Sequence, residues 1–312
     1  MKFLLISDFH LMFDNPICRK DSAFKAGIDK LDYILNYAVE NDCTILQAGD
    51  LFDVPRSWRL IAAVQDVLLK YRQKIYAVYG QHDNYMYSES SKPTTILGVL
   101  SKAGYIEVLS EKPIRFEKNI DVYGCSFGHN VPEVLNKENV NILVIHAPIV
   151  ESKLWIGQEN YFLASNFLQE NYDYDLILCG DIHRKFFVSN TSNDRFILNT
   201  GCLLRIDADE YNFTYEPSFA IFDTAAWKIR WNKVPHKPSE SVMSRKHILL
   251  KKENERMLDS FVKAIEEGRL KDSGAYSLDF KSNLQKYFEE NSIGEDIRQI
   301  IFRIMEEEDE GK

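Results

Sequence analysis

Through the first 200 residues, short runs of apolar, often β-branched residues alternate with longer stretches in which apolar positions recur every three to four residues. That alternation predicts βαβ units and a layered α/β domain. Residues 2–7 have the pattern of a strand buried on both faces, 24–41 that of an amphipathic helix, and 44–48 that of a second strand. The rhythm repeats with a helix over 58–71, a strand over 75–79 and a helix over 94–102, and then strands over 122–125, 142–145 and 176–179. From Lys185 the pattern changes to short strands without helices between them, at 186–189, 195–199, 219–223 and 228–234, which predicts a second, more antiparallel sheet. The stretch PHKPSESVMS (235–244), with its prolines and serines, is the best linker candidate. Beyond it the sequence predicts a short strand (247–250), a helix (254–267), a turn (271–274), a helix-rich segment (284–305) and an acidic tail that frays. The chain divides on this reading into an α/β domain over 1–235 and a small α+β cap or partner-docking segment over 236–312.

Composition narrows the class. With 45% hydrophobic and 27% charged positions in 312 residues, the chain has enough apolar material for a large core and is neither disordered nor fibrous. Its longest apolar runs, at 3–6 and 142–145, fall far short of the roughly 18 to 20 residues that a bilayer span needs, so no membrane association is expected. Met1 and Lys2 lead straight into the first strand pattern without a signal h-region, which predicts a cytoplasmic protein. The cysteines Cys18, Cys43, Cys125, Cys179 and Cys202 never form a C-x-x-C pair; they read as reduced, mostly buried thiols. The net charge of -9 excludes a protein that holds nucleic acid mainly through a broad basic surface.

Candidate chemistry comes from where acids and imidazoles fall relative to the strands. Asp8 and His10 follow the first strand, Asp50 the second, and His82 with Asp83 the third, while His146 ends a later strand and Asp181 and His183 follow another. In α/β sheets the carboxyl ends of strands open onto a common crevice, so these groups can converge across 175 residues of sequence. Imidazole and carboxylate without thiolate suit Mn, Fe or Zn in a hydrolytic site, and an Asp between two ions can bridge them. Gly49, Gly80 and Gly180 each precede a candidate ligand and permit close backbone approach.

S-D-F-H (7–10), G-D-L-F-D (49–53), G-Q-H-D (80–83), I-H-A (145–147) and G-D-I-H (180–183) resemble, in order, the motifs of the calcineurin-like metallophosphoesterases. N-P-I-C-R-K-D after the first motif, the form G-D-L-F-D, and N-T-G-C-L-L-R (199–205) are most similar to the nuclease branch, the SbcD-type exonuclease subunits and their phage recombination-endonuclease relatives. The resemblance covers residues 1–235 well and the rest weakly. It implies a metallophosphoesterase β-sandwich flanked by helices and a hydrolase of phosphodiesters in DNA repair or recombination. It also implies two divalent ions, Mn2+ or Mg2+, one held by Asp8, His10, Asp50 and His183 and the other by Asp50, Gln81, His146 and Asp181. His82 would assist the leaving group as acid or charge stabiliser, with Asp83 orienting it by a hydrogen bond. Gln81 stands where the family usually has Asn, and Asp181 where it usually has His; both side chains can ligate, and the second site should be harder in its metal preference. The implied partners are DNA, an ATPase of the SbcC kind and a second copy in a homodimer.

Two further readings remain open: a phosphodiesterase or phosphatase acting on nucleotides or phosphoproteins, and a non-catalytic assembly subunit favoured by Gln81 and Asp181. Asp53 is either a support for His10 or a helix cap. His129, His236 and His247 read as ordinary loop or solvated histidines. Tyr85 and Tyr87, just past a site motif, are candidates for substrate contact. The basic cluster Arg245, Lys246, Lys251 and Lys252 reads as a solvated face. Setting aside the five acids of the tail (306–310) brings -9 to -4, and two bound divalent ions bring the core near neutral. The acidic balance is therefore compatible with DNA, with weak binding expected of the metal-free chain alone.

Overall fold

The computed structural model describes residues 1–266 and 280–309, with the side chains of 87, 247, 261–283 and 303–309 excepted. The chain separates into two compact units, Met1–Ser244 and Arg245–Lys312. In the first, β1 (Lys2–Ile6), α1 (Ala23–Glu40), β2 (Cys43–Gln47), α2 (Trp58–Tyr71), β3 (Ile75–Ala77), α3 (Ile96–Lys102) and β4 (Ile106–Val108) form successive parallel crossovers. Next come β5 (Ile114–Phe116), β6 (Ile120–Cys125), β7 (Val140–His146), the short β8 (Ile149–Val150) and β9 (Phe162–Leu163), α4 (Ala164–Glu170) and β10 (Leu176–Gly180). The unit ends with β11 (Phe186–Ser189), β12 (Phe196–Asn199), α5 (Glu210–Thr214), β13 (Ser218–Asp223), β14 (Lys228–Lys233) and α6 (Ser239–Val242).

Two six-stranded sheets result, ordered β14-β13-β1-β2-β3-β4 and β11-β12-β10-β7-β6-β5, beside a two-stranded β8-β9 pair. Alternation along the parallel strands explains their continuous apolar runs. Phe3, Leu5 and Leu46 point from the first sheet into a layer shared with Val122, Ile142, Val144, Leu176 and Leu178 of the second. Leu4, Ile6 and Ile45 point the other way, onto Leu31, Ile34 and Leu35 of α1 and Leu60, Val64 and Leu68 of α2. On the outer face of the second sheet, Leu143, Ile145 and Ile177 pack against Phe167 and Leu168 of α4. The helices start where the sequence provides caps: Ser22 Oγ accepts from Lys25 N at 3.1 Å, and Ser57 Oγ from Leu60 N at 3.4 Å. The fold is the expected helix-flanked sandwich.

Two expectations change. The short strands after Lys185 do not make a sheet of their own: β11 and β12 complete the second sheet beside β10, whereas β13 and β14 extend the first beside β1. The predicted strand at 247–250 lies within α7 (Lys246–Glu266), which begins the second unit. That unit continues with α8 (Phe280–Glu290) and α9 (Glu295–Asp309) and, among the described residues, is helical around Leu284, Phe288 and Ile293. The acidic tail is helical through Asp309; the turn expected at 271–274 lies outside the described residues. Among them, no helix is long and apolar enough to cross a membrane.

Candidate metal centre

The central parallel strands β1, β2 and β3 of one sheet and β7 and β10 of the other end on the same side of the sandwich, and the residues that follow them meet there. Asp8, His10, Asp50, Asp83 and His146 are buried, Asp181 and His183 are half-buried, and His82 is exposed at the mouth. His10, Asp50 and Asp181 have φ of 55°, 50° and 95°, left-handed values that cost a non-glycine residue about 1–3 kcal/mol. Three strained positions at the ends of three strands show a backbone arranged for side-chain placement. The glycines are close-approach positions: a Cβ at Gly49 would run into the His146 ring, and one at Gly80 into the Asp50 carboxylate.

On one side of Asp50, His10 Nε2 lies 2.9 Å from His183 Nε2 and 3.8 Å from Asp50 Oδ2, and His183 Nε2 lies 3.9 Å from Asp8 Oδ1. His10 Nδ1 is 3.0 Å from Asp53 Oδ1, which makes Nδ1 the protonated nitrogen and leaves the Nε2 lone pair pointing inward. Asp53 thus supports His10, the first of its two open roles. Burial opposes a charged His10, but Asp53, Asp50 and Asp8 together raise its pKa, whereas burial lowers that of His183. Two imidazole nitrogens at this separation require one proton between them or a cation in its place.

On the other side of Asp50, His146 Nδ1 donates to the Ala48 carbonyl at 2.7 Å, so Nε2 faces Gln81 Oε1 at 2.7 Å, Asp50 Oδ2 at 3.4 Å and Asp181 Oδ1 at 3.8 Å. Gln81 Nε2 donates to Asp181 Oδ1 at 2.6 Å, which fixes the amide with its oxygen toward His146. Electron-rich atoms from four residues surround one point. Burial disfavours a charged His146, yet the Asp50 carboxylate outweighs it and raises the imidazole to about 10. Burial likewise pushes Asp50 up, but the imidazoles of His146, His10 and His82 hold it at about 2.

The donor set fits divalent cations. Asp8 Oδ2 and Asp50 Oδ2 are buried with no hydrogen-bond partner among the described residues, an expensive condition for carboxylate oxygens unless something positive meets them. Asp8, Asp50 and His146 present ligand atoms within 4.8 Å of one another, as do His10, Asp50 and His82. Every predicted ligand is therefore brought to one place, with Asp50 between the two halves.

His82 and Asp83 differ from expectation in one respect. His82 N donates to Asp50 Oδ1 at 2.8 Å, and its Nδ1 donates to the Asp53 carbonyl at 2.9 Å. Asp83 does not orient that ring. Its carboxylate accepts from the backbone N–H groups of Gly80 (3.0 Å), Phe52 (3.0 Å) and Leu51 (3.4 Å), tying the β2 and β3 loops together. A carboxylate so deeply buried beside Asp50 is pushed up to about 7, and the three N–H groups are what it finds instead of the imidazole.

Sequence reasoning missed several supports. Gln47, at the end of β2, donates to the carbonyls of Ser7 (3.1 Å) and Gly49 (2.6 Å); only an amide at an otherwise apolar strand end signalled it. Thr200 Oγ1 accepts from Ser7 N at 2.8 Å, Asn199 Nδ2 donates to the Ile182 carbonyl at 2.6 Å, and Leu203 N donates to the Asp8 carbonyl at 3.0 Å. The buried Cys202 thiol comes within 4.8 Å of ring nitrogens of His10 and His183, so one cysteine does adjoin the centre; all five are free and buried. Tyr85 is exposed beneath the Arg56 guanidinium at 4.4 Å, while the Tyr87 side chain lies outside the described residues. His129 pairs with Glu89 at 3.1 Å, and His236 is half-buried with Nδ1 on the Val234 carbonyl rather than solvated. The side chain of His247 also lies outside the described residues.

The family model described as "Calcineurin-like phosphoesterase" matches residues 1–185. No curated protein is matched by the chain. Among solved structures, the crystal structure of TT1561 of Thermus thermophilus is similar over 75% of this chain and 99% of its own, at 12% identity and a TM-score of 0.47. A second solved structure is similar over the same shares, 75% and 99%, at 13% identity and a TM-score of 0.48.

Proposed function

As the chain belongs to the calcineurin-like phosphoesterase family, and so to hydrolases of phosphoesters that use divalent metal ions, we propose that it is a two-metal phosphodiesterase whose substrate is DNA, a nuclease subunit of the SbcD type acting in repair or recombination. The observation that carries the reading is the use made of N-T-G-C-L-L-R, one of the three segments on which the nuclease resemblance rests. Asn199, Thr200 and Leu203 brace the loops that bear Asp8 and His183. An ATPase of the SbcC kind and a homodimer belong to the same reading.

In this proposal Asp8, His10, Asp50 and His183 would hold one ion, and Asp50, Gln81, His146 and Asp181 the other. When bound, the ions supply Lewis acidity that activates a water and neutralises phosphoryl oxygens. The protein's own part is positional and protonic. Asp53 and the Ala48 carbonyl hold the protons of His10 and His146 at Nδ1, so that Nε2 of each stays available as a ligand. Asp50 presents Oδ2 to both halves while Oδ1 is committed to His82 N. With its Nδ1–H on the Asp53 carbonyl, His82 has Nε2 left for substrate, and as an imidazolium it would donate the Nε2 proton to the departing alkoxide, leaving the neutral ring with its Nδ1–H in place. Its side chain is 43% exposed, which suits contact with a polymer entering from solvent.

The test compares linear duplex DNA, single strands, bis-p-nitrophenyl phosphate and p-nitrophenyl phosphate with Mn2+. Cleavage of DNA and the diester, with the monoester poor, is expected, and His82→Ala should lose roughly 10²–10⁴-fold in kcat. Activity on the monoester alone would remove the nuclease reading, and full activity of His82→Ala would remove the acid.

A further inference from the structure

Behind the loop that supports Asp8 lies a second cleft, of about 390 Å3, between the N-terminal part of α1, Arg205 and the segment that runs from Pro235 to Val242. Its chemistry is the reverse of the metal centre's. Lys30 and Arg205 line it at 6% and 3% exposure, and among the described residues neither forms an ion pair. Two carboxylates line the cleft as well, and each is paired with another of its cations: Asp21 with Arg19 at 2.8 Å, and Asp29 with Lys25 at 3.1 Å, which leaves Lys30, Arg205 and Lys237 in excess. Lys30 Nζ donates to the Leu203 carbonyl, one bond for an ammonium that carries three donors. Arg205 donates to Ser239 Oγ at 2.7 Å and to the Lys237 carbonyl at 2.8 Å, while its Nε is buried without a partner.

Two buried cations facing one cleft, neither of them in a direct ion pair, are costly, since both lose hydration and repel each other and the Asp21 charge offsets this only in part. Burial first, and then Arg205 and Arg19, push Lys30 down to about 7. In a chain of net charge -9 this is a local concentration of positive charge and no part of a basic surface. An anion in the cleft would meet both cations at once. The lining also includes Lys25 and Lys237 at the exposed rim, which would draw an anion in.

We propose that this cleft is a binding site for a phosphate-class oxyanion, distinct from the metal centre and seated on Lys30 and Arg205. Tetrahedral oxyanions are recognised by converging lysine and arginine donors, and Lys30, Arg205, Arg19, Lys25 and Lys237 all line this one cleft. The source is either free phosphate or the terminal phosphate of a nucleotide or strand. Occupancy would be felt at the metal centre through a single residue. Leu203 accepts from Lys30 through its carbonyl and donates to the Asp8 carbonyl through its N–H. The neighbouring Leu204 carbonyl accepts from Arg19 at 3.0 Å. The site stands whether or not DNA is the substrate.

Calorimetric titration of the full-length protein in chelator tests it, with inorganic phosphate, a 5'-phosphorylated trinucleotide and the same trinucleotide with a 5'-hydroxyl as probes. Saturable one-to-one phosphate binding is expected, weakened about tenfold or more in Lys30→Met and Arg205→Met, which each remove a charge-assisted donor. The exposed double variant Lys25→Glu/Lys237→Glu should weaken it severalfold without disturbing the core, and it decides the matter if the buried variants do not fold. Tighter binding of the phosphorylated trinucleotide than of phosphate assigns the site to strand ends, and equal or weaker binding assigns it to the free ion. The proposal is overturned if phosphate does not bind saturably at millimolar concentration, or if binding survives the rim variant but is lost in Asp50→Asn. It is equally overturned if both trinucleotides bind alike and phosphate does not compete.

Discussion

Asp53 holds two histidines by two different parts of itself, and that division makes a sharp prediction. Its carboxylate meets His10 Nδ1 at 3.0 Å, while its backbone carbonyl accepts from His82 Nδ1 at 2.9 Å. Replacing the side chain removes the support of a metal ligand and leaves the carbonyl bond to the acid in place, although it also takes away a carboxylate oxygen 4.0 Å from His82 Nδ1. A partner of this kind is worth about 10- to 100-fold in metal affinity, or roughly 1.4–2.7 kcal/mol. Because Asp53 is 30% exposed, solvent screens part of the bond. Asp53→Asn, whose amide oxygen can still accept from Nδ1, should fall near the tenfold end, and Asp53→Ala toward the hundredfold end. Competition against a fluorescent chelator measures the affinity, and turnover of bis-p-nitrophenyl phosphate at saturating Mn2+ measures what remains. The kcat at saturation should stay within about threefold of wild type, since uniform loss of metal binding leaves the loaded centre intact. Unchanged affinity would refute the role given to the carboxylate. A kcat loss that excess metal does not restore would refute the division itself.

Mn2+ at about a hundred times its Kd should stabilise the folded protein by about 2.7 kcal/mol, and Asp50→Asn should abolish the increment because both halves of the centre share that carboxylate; differential scanning calorimetry with and without chelator reads it, and an undiminished rise in Asp50→Asn would contradict the shared ligand. Gly49→Ala should destabilise the metal-free protein by more than about 1 kcal/mol, because Gly49 has φ 83° and the new Cβ would displace His146. Denaturant unfolding checks this, and a neutral result would mean that the loop relaxes. Lys30, lowered to about 7, adds a pH dependence with a definite sign. Between pH 7 and the unfolded pKa near 10.5, the unfolded chain binds a proton that the folded chain does not, so stability rises with pH across that window. The slope from this group approaches about 1.4 kcal/mol per pH unit, and none of it remains below pH 7. Chelated wild type should show this rise between pH 7 and 9, and Lys30→Met should lose it.

What the sequence disclosed follows from which forces are local. The continuous run at β1 was readable because Phe3 and Leu5 face one layer and Leu4 and Ile6 the other, so both periodicities are saturated. The run at 247–250 misled for the complementary reason: four residues cannot distinguish a strand from a turn of helix, and Leu249 and Leu250 stand 64% and 58% exposed on α7. β13 and β14 were recognisable as strands but not as an extension of the first sheet with β13 beside β1, since pairing Leu5 with Ala220 is set by closure across more than 200 residues. The ligands were legible because each ends or follows a strand. Their supports were less so: Asp53 was legible only as one of two roles, and the Gln47 amide and the Cys202 thiol not at all, because such groups take their roles from a partner in space.

The same distinction governs the charge. A net of -9 says little about phosphate, because location decides what each charge does. Asp8, Asp50 and Asp181 are concentrated where imidazole lone pairs also converge, so this acidic cluster repels a phosphodiester until cations are bound and attracts it afterwards. Lys30 and Arg205 are buried with no carboxylate in direct contact, so while Lys30 is charged they oppose folding unless an anion arrives. Both sites therefore leave the apoprotein short of its best stability, in opposite senses of charge, and Leu203 joins them through its two backbone groups. Filling either should steady the loop the other depends on. Metal and phosphate-class anions are then expected to bind with positive coupling, each tightening the other by the same factor, as linkage requires.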